Sequence, residues 1–124
     1  NQDLTSSRIS NYKKMEERRV SFTLGVSYET NQDKLKQIPS LVKEIFNQLS
    51  LAELNRIHLK ELGASTINYE VVYLVQSSDY QDYIQVEEKL NLSLLEKFAA
   101  AEISLPYPTQ RVIVAQTDEL GSTD

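Results

Sequence analysis

Three observations on the 124-residue chain predict an α+β sandwich of element order β-α-β-β-α-β. Apolar residues alternate with polar ones from Val20, and from Ile67 every second residue is apolar. Each alternation is followed by a stretch whose apolar residues recur at helical spacing. A glycine-containing segment, "LGAST", stands just ahead of the second alternation, where a hairpin turn is needed.

The first strand is the clearest element. Val20, Phe22, Leu24, Val26 and Tyr28 alternate with Ser21, Thr23, Gly25 and Ser27. Thr30 is the expected N-cap of the first helix, with Asp33 in the first turn, where an acid complements the helix dipole. Leu35, Ile38, Leu41, Val42, Ile45, Phe46 and Leu49 then form one apolar stripe. Pro39 lies inside it and removes the bond to the Leu35 carbonyl, which predicts a bend or a delayed regular start.

Between Arg56 and Leu62, Ile57 and Leu59 point one way while His58 and Lys60 point the other, as in a strand. "LGAST" joins it to "TINYEVVYLV" as a hairpin. In this third strand Ile67, Tyr69, Val71, Tyr73 and Val75 share one face, yet Val72 and Leu74 make the opposite face apolar as well. That second face calls for a cover, either a neighbouring subunit or an upstream domain of the same chain.

Ser78 is the expected cap of the second helix, with Gln81 at the capping-box position. Tyr83, Val86, Leu90, Leu94 and Phe98 form its stripe, and "FAAAE" ends it without a glycine. Tyr69, Tyr73, Tyr80 and Tyr83 are expected to cluster near its start. Pro106 and Pro108 make a stiff extended connector. Arg111 to Gln116 follows as the final strand, and "TDELGSTD" reads as a frayed acidic tail. Residues 1–17 read as a connection, so the chain looks like a segment taken from within a longer protein. Split βαβ units closed by right-handed crossovers give a ferredoxin-like sheet, with both helices on one face and the other face open.

Composition bounds the chemistry. Hydrophobic residues are 40% and charged residues 25%, ordinary for one globular domain with a single modest core. Without cysteine there is no thiolate nucleophile, disulfide or cysteine-held zinc. The lone imidazole, His58, sits among charged strand neighbours and reads as solvated or structural. Glu87 and Glu88 diverge on a helix, while Asp79 and Asp82 stand at a helix start, where acids are expected. The glycines, Gly25, Gly63 and Gly121, are isolated, so no phosphate loop exists. We read no active site, no metal and no cofactor, and hence no enzyme.

The net charge of −5 is uneven: residues 1–19 are net basic and the rest is strongly acidic. An acidic body argues against nucleic-acid binding, which needs phosphate neutralisation. Phe22, Tyr69 and Tyr73 occupy the strands on which RNA-recognition domains stack bases, but they belong to the helix-covered face. No apolar run of roughly 18 residues spans a bilayer, and the first residues lack a signal-peptide pattern.

"SSRISNYKKMEERRVSFTLGVSYET" resembles the passage from the middle β domain into the carboxy-terminal domain of small-conductance mechanosensitive channels. The matching positions are Asn11, Tyr12, Arg18, Arg19, Gly25, Val26, Tyr28 and Thr30. "RIHLKELGASTINYEVVYLVQSSDY" resembles that family's hairpin, and "PYPTQRVIV" its proline connector and terminal strand. The resemblance implies a non-enzymatic vestibule wall beneath a pore, on the cytoplasmic side of the cell membrane (the inner membrane of a Gram-negative cell). It implies identical subunits as partners, typically seven, with ions and small solutes passing.

It also divides the chain into a junction from an upstream β domain (1–17, with Arg8, Asn11, Tyr12, and Arg18 and Arg19 just beyond), a ferredoxin-like domain (18–105), a connector with a terminal strand (106–116) and an acidic tail (117–124). The terminal strand either completes its own sheet or joins its copies in a barrel between subunits. Val72, Leu74, Val112 and Val114 are the expected subunit or domain interface. Membrane attachment would come only through upstream helices. The competing reading is a stand-alone ferredoxin-like module that binds a regulatory ligand at "ELGAST".

Overall fold

The computed structural model describes residues 17–106 and the backbone of residues 111–114. Strand β1 (Arg18–Val26) leads into helix α1 (Gln32–Asn47). The hairpin β2 (Ala52–Leu62) and β3 (Ile67–Val75), helix α2 (Tyr80–Ala100) and strand β4 (Arg111–Val114) follow. The sheet order is β2-β3-β1-β4, and every neighbouring pair is antiparallel. This is the ferredoxin-like arrangement that the element order predicts.

Alternation in the sequence becomes burial in the structure. Val20, Phe22, Leu24 and Val26 of β1 and all five odd-numbered residues of β3 are buried. Against them α1 packs Ile38, Val42, Ile45 and Phe46, and α2 packs Val86, Leu90, Leu94 and Phe98. Phe22 meets Tyr73 edge-on at 6.0 Å, and Phe46 lies 5.0 Å from the same ring. The aromatics of the two central strands are therefore core side chains under the helices.

Several expectations shift by a residue or a turn. Asn31, not Thr30, caps α1, accepting from Lys34 N at 2.9 Å, while Thr30 closes a turn onto the Ser27 carbonyl. Asp79, not Ser78, caps α2, accepting from Gln81 N at 2.9 Å. Asn and Asp outrank Thr as caps, and a one-residue shift leaves the apolar stripe in place. Tyr28 falls beyond the end of β1 and is exposed. β2 begins at Ala52 rather than Arg56, because its pairing slips twice. Asn55 and Lys60 have no partner at those irregularities, which breaks the period of two that sequence reading relies on.

Helix α2 ends without glycine through a residue in the left-handed region. Glu102 has φ 61°, Glu102 N donates to Ala99 O at 3.0 Å, and Ile103 N donates to Phe98 O at 2.8 Å. These two bonds make a Schellman motif, whose usual residue at that position is glycine. Ile103 is buried beneath it.

The last strand pairs with β1 inside the chain's own sheet, matching Arg19 with Val114 and Phe22 with Arg111. Of its expected extent, Ala115 and Gln116 lie outside the described residues.

Candidate functional site

The face of the sheet away from the helices carries the residues singled out for assembly. Register aligns Arg56, Val72, Ser21 and Val112 in one row, and Glu53, Leu74, Arg19 and Val114 in the row two residues away. Strand pairing alone thus brings the four expected interface positions into adjacent rows. Val72 is only 2% exposed although it stands outside the main core, whereas Leu74 is half-buried. Within the single chain, Leu74 is therefore the member of that pair with area left to cover. Farther along the same face, Glu70 lies 3.7 Å from Arg56 and 3.5 Å from the half-exposed His58. The lone imidazole lies against the Arg56–Glu70 ion pair at the surface.

The junction residues Arg18 and Arg19 open β1, while Arg8, Asn11 and Tyr12 lie outside the described residues. Arg18 donates from its terminal nitrogen to Ser78 O at 2.9 Å. Its guanidinium stands 6.0 Å from the Tyr80 ring centroid and 5.9 Å from that of Tyr83. Two of the four tyrosines expected near the α2 start are thus there. Tyr69 instead reaches α1, and Tyr73 donates to Glu87 on the inner side of α2. Pro106 is exposed, and Pro108 lies outside the described residues.

At the other end of the sheet, a polar lock ties the β1–α1 turn to the hairpin. Tyr28 donates its hydroxyl hydrogen to the Gly63 carbonyl. Thr66 donates to Asn68 Oδ1 at 2.7 Å, and Asn68 Nδ2 donates to Glu61 Oε2 at 3.2 Å. Gly63 is needed here for space rather than for a left-handed backbone. A Cβ on it would stand 2.7 Å from Asn68 Nδ2 and 2.9 Å from the Thr66 carbonyl oxygen. Gly25, register partner of Asn68, is crowded by the Thr66 and Asn68 side chains, with Thr66 Oγ1 3.0 Å from a Cβ there. In the "ELGAST" loop, Glu61, Gly63 and Thr66 are engaged by one another, by Tyr28 and by Asn68. Sequence reading named the glycines and Tyr28 but missed Asn68, whose role depends on pairing across strands.

A groove of about 660 Å³ runs between α1 and the edge strand β2, floored by Phe46 and Ala52 and rimmed by Lys43, Glu53 and Arg56. Among the described residues, no three His, Asp or Glu side chains gather to hold a metal, and no helix is long and apolar enough to cross a membrane.

Comparison with known proteins bears on this fold directly. The family described as mechanosensitive ion channel MscS, C-terminal, matches residues 20–105. The small-conductance mechanosensitive channel MscMJ of Methanocaldococcus jannaschii is 31% identical over 113 residues, covering 90% of this chain and 32% of that protein. The large-conductance channel MscMJLR of the same organism is 29% identical over 123 residues, covering 95% of this chain and 34% of that protein. The chain thus spans about a third of the length of these relatives. The crystal structure of Helicobacter pylori MscS in its closed state superposes with a TM-score of 0.57 at 14% identity, covering 81% of this chain and 39% of that one. A dimeric ferredoxin-like protein from Bacteroides fragilis superposes at 0.52 with 9% identity, covering 80% of this chain and 95% of that one, a likeness of fold alone. With the family match running from the first buried residue of β1 to the segment after α2, the chain belongs to the mechanosensitive ion channel MscS family, through that family's carboxy-terminal domain.

Proposed function

We propose that this chain is the lower wall of a vestibule beneath a tension-gated channel, one copy among identical subunits. The observation that carries the reading is the family match over residues 20–105. In this reading, upstream helices hold the pore in the cell membrane and the present domain lies on the cytoplasmic side. Residues 1–17 join it to an upstream β domain, the ferredoxin-like body is 18–105, Pro106 and Pro108 stiffen the connector, and 117–124 form an acidic tail. The ring is a heptamer. Its wall filters the ions and small solutes that leave when tension opens the pore, and it does no covalent chemistry.

Leu74 and the Val112 and Val114 strand positions supply the contact to a neighbouring copy or to the upstream domain. Val72 supports that contact from beneath. The direct test is recording from liposome patches that hold the full-length subunit, under stepped suction. Conductance that rises steeply with tension supports the channel reading. A correctly inserted protein that stays silent up to patch rupture contradicts it.

A further inference from the structure

We propose that Arg18 is a clamp that fixes how the incoming chain meets the domain, by tying the start of β1 to the first turn of α2. Arg18 begins β1 and pairs in register with Val75, the last residue of β3. From Val75 the chain needs only residues 76–79 to reach α2, so the place where the polypeptide comes in lies beside a helix N-terminus.

That N-terminus is rigidly built. Asp79 accepts from Gln81 N, Ser77 Oγ accepts from Asp79 N at 3.0 Å, and Ser77 donates to Asp82 Oδ2 at 2.7 Å. Gln76 N bonds to the Leu51 carbonyl at 2.8 Å, fixing the same turn to the start of the hairpin. Arg18 reaches into this frame, donating to Ser78 O and lying against both rings of a tyrosine pair whose centroids are 5.8 Å apart.

A helix N-terminus carries the positive end of the dipole and by itself disfavours a cation, which the acidic Asp79 and Asp82 of the same turn offset. Among the described residues, Arg18 Nε is buried without a hydrogen-bond partner. That cost calls for a gain elsewhere. The carbonyl bond and the two ring faces provide it, in a form that a planar guanidinium meets and an ammonium does not. The consequence is directional. Displacement of the incoming chain at residue 17 is passed to α2 through Arg18, as well as along β1 through the sheet. This holds for the chain itself, whatever its assembly or activity.

Hydrogen–deuterium exchange on the chain as it stands tests the clamp, comparing wild type with Arg18→Ala, Arg18→Lys and Tyr80→Leu. Loss of one charged hydrogen bond corresponds to roughly tenfold faster local exchange. Arg18→Ala is expected to speed exchange together in peptides 17–20 and 77–83, leaving the β2–β3 hairpin unchanged. Arg18→Lys should not restore protection. Tyr80→Leu, at an exposed position that folding tolerates, should give the same paired pattern more weakly. Faster exchange confined to 17–20, full rescue by lysine, or an equal rise across every peptide would each overturn the proposal.

Discussion

Pro39 shows how single residues are reconciled with the fold. A proline in mid-helix strips the carbonyl four residues back of its partner, yet α1 runs from Gln32 to Asn47 with Pro39 inside it. The carbonyl so released, that of Leu35, accepts from the Tyr69 hydroxyl at 2.8 Å. Tyr69→Phe should therefore cost about 1–2 kcal/mol in urea unfolding, the cost of an orphaned carbonyl. Burial also pushes the Tyr69 phenol above its usual value near 10. The folded state then holds that proton more tightly than the unfolded state. Its contribution is whole below about pH 10 and is lost as pH rises through the higher folded value. The stability gap between wild type and Tyr69→Phe should accordingly narrow above that point and stay constant below it. Glu102 is the converse case, a side chain at a position that suits glycine. Its ion pair with Lys34 at 3.6 Å is exposed and contributes little. Glu102→Gly should stabilise the chain by about 0.5–1 kcal/mol and raise the melting temperature by a few degrees.

At the scale of elements, sequence reading succeeded where one face of a strand or helix is buried, and faltered where local chemistry competes. The alternation from Val20 to Val26 and from Ile67 resolves into core, and the stripes from Leu35 and Tyr83 either join the core or, at Leu35, Leu41 and Tyr83, pack half-buried against it, because burial enforces the period. Cap positions moved by one, since Thr30 and Asn31, or Ser78 and Asp79, are adjacent residues able to serve. The start of β2 was hidden by its two irregularities, where Asn55 and Lys60 interrupt the pattern. Those irregularities are useful at a sheet edge, because they spoil the template that a flat strand offers to other chains. The hairpin's Gly63 was legible as a turn residue, but the reason for it was not. Its neighbour is Asn68, five positions away and across the turn. Gly63→Ala should destabilise the chain by about 1–3 kcal/mol in chemical denaturation. Pairing it with Asn68→Ala should recover only part of that loss, because the Thr66 carbonyl 2.9 Å away is backbone and cannot swing aside.

For the whole molecule, the question is what meets its surfaces. The sheet carries helices on one face, and on the other it presents Leu74 together with the Arg56–Glu70 ion pair and His58. Helix α2 exposes two large apolar side chains among polar ones, Leu92 and Leu95, by 59% and 62%. Assignment to a channel family was legible in three sequence blocks, whereas the way copies pack was not, because a ring's contacts are heterologous and join different patches. A single chain shows each patch without its complement. Replacing Leu74 alone is the informative change, since Val72 is already buried and an acid there would disrupt folding rather than assembly. The most direct measurement is light-scattering mass on the purified full-length subunit, wild type against Leu74→Asp, with circular dichroism confirming that both are folded. The proposed ring requires a closed multiple of the subunit mass for wild type and a shift to smaller species for the variant. A wild-type protein that runs as a folded monomer would contradict the vestibule reading at its base.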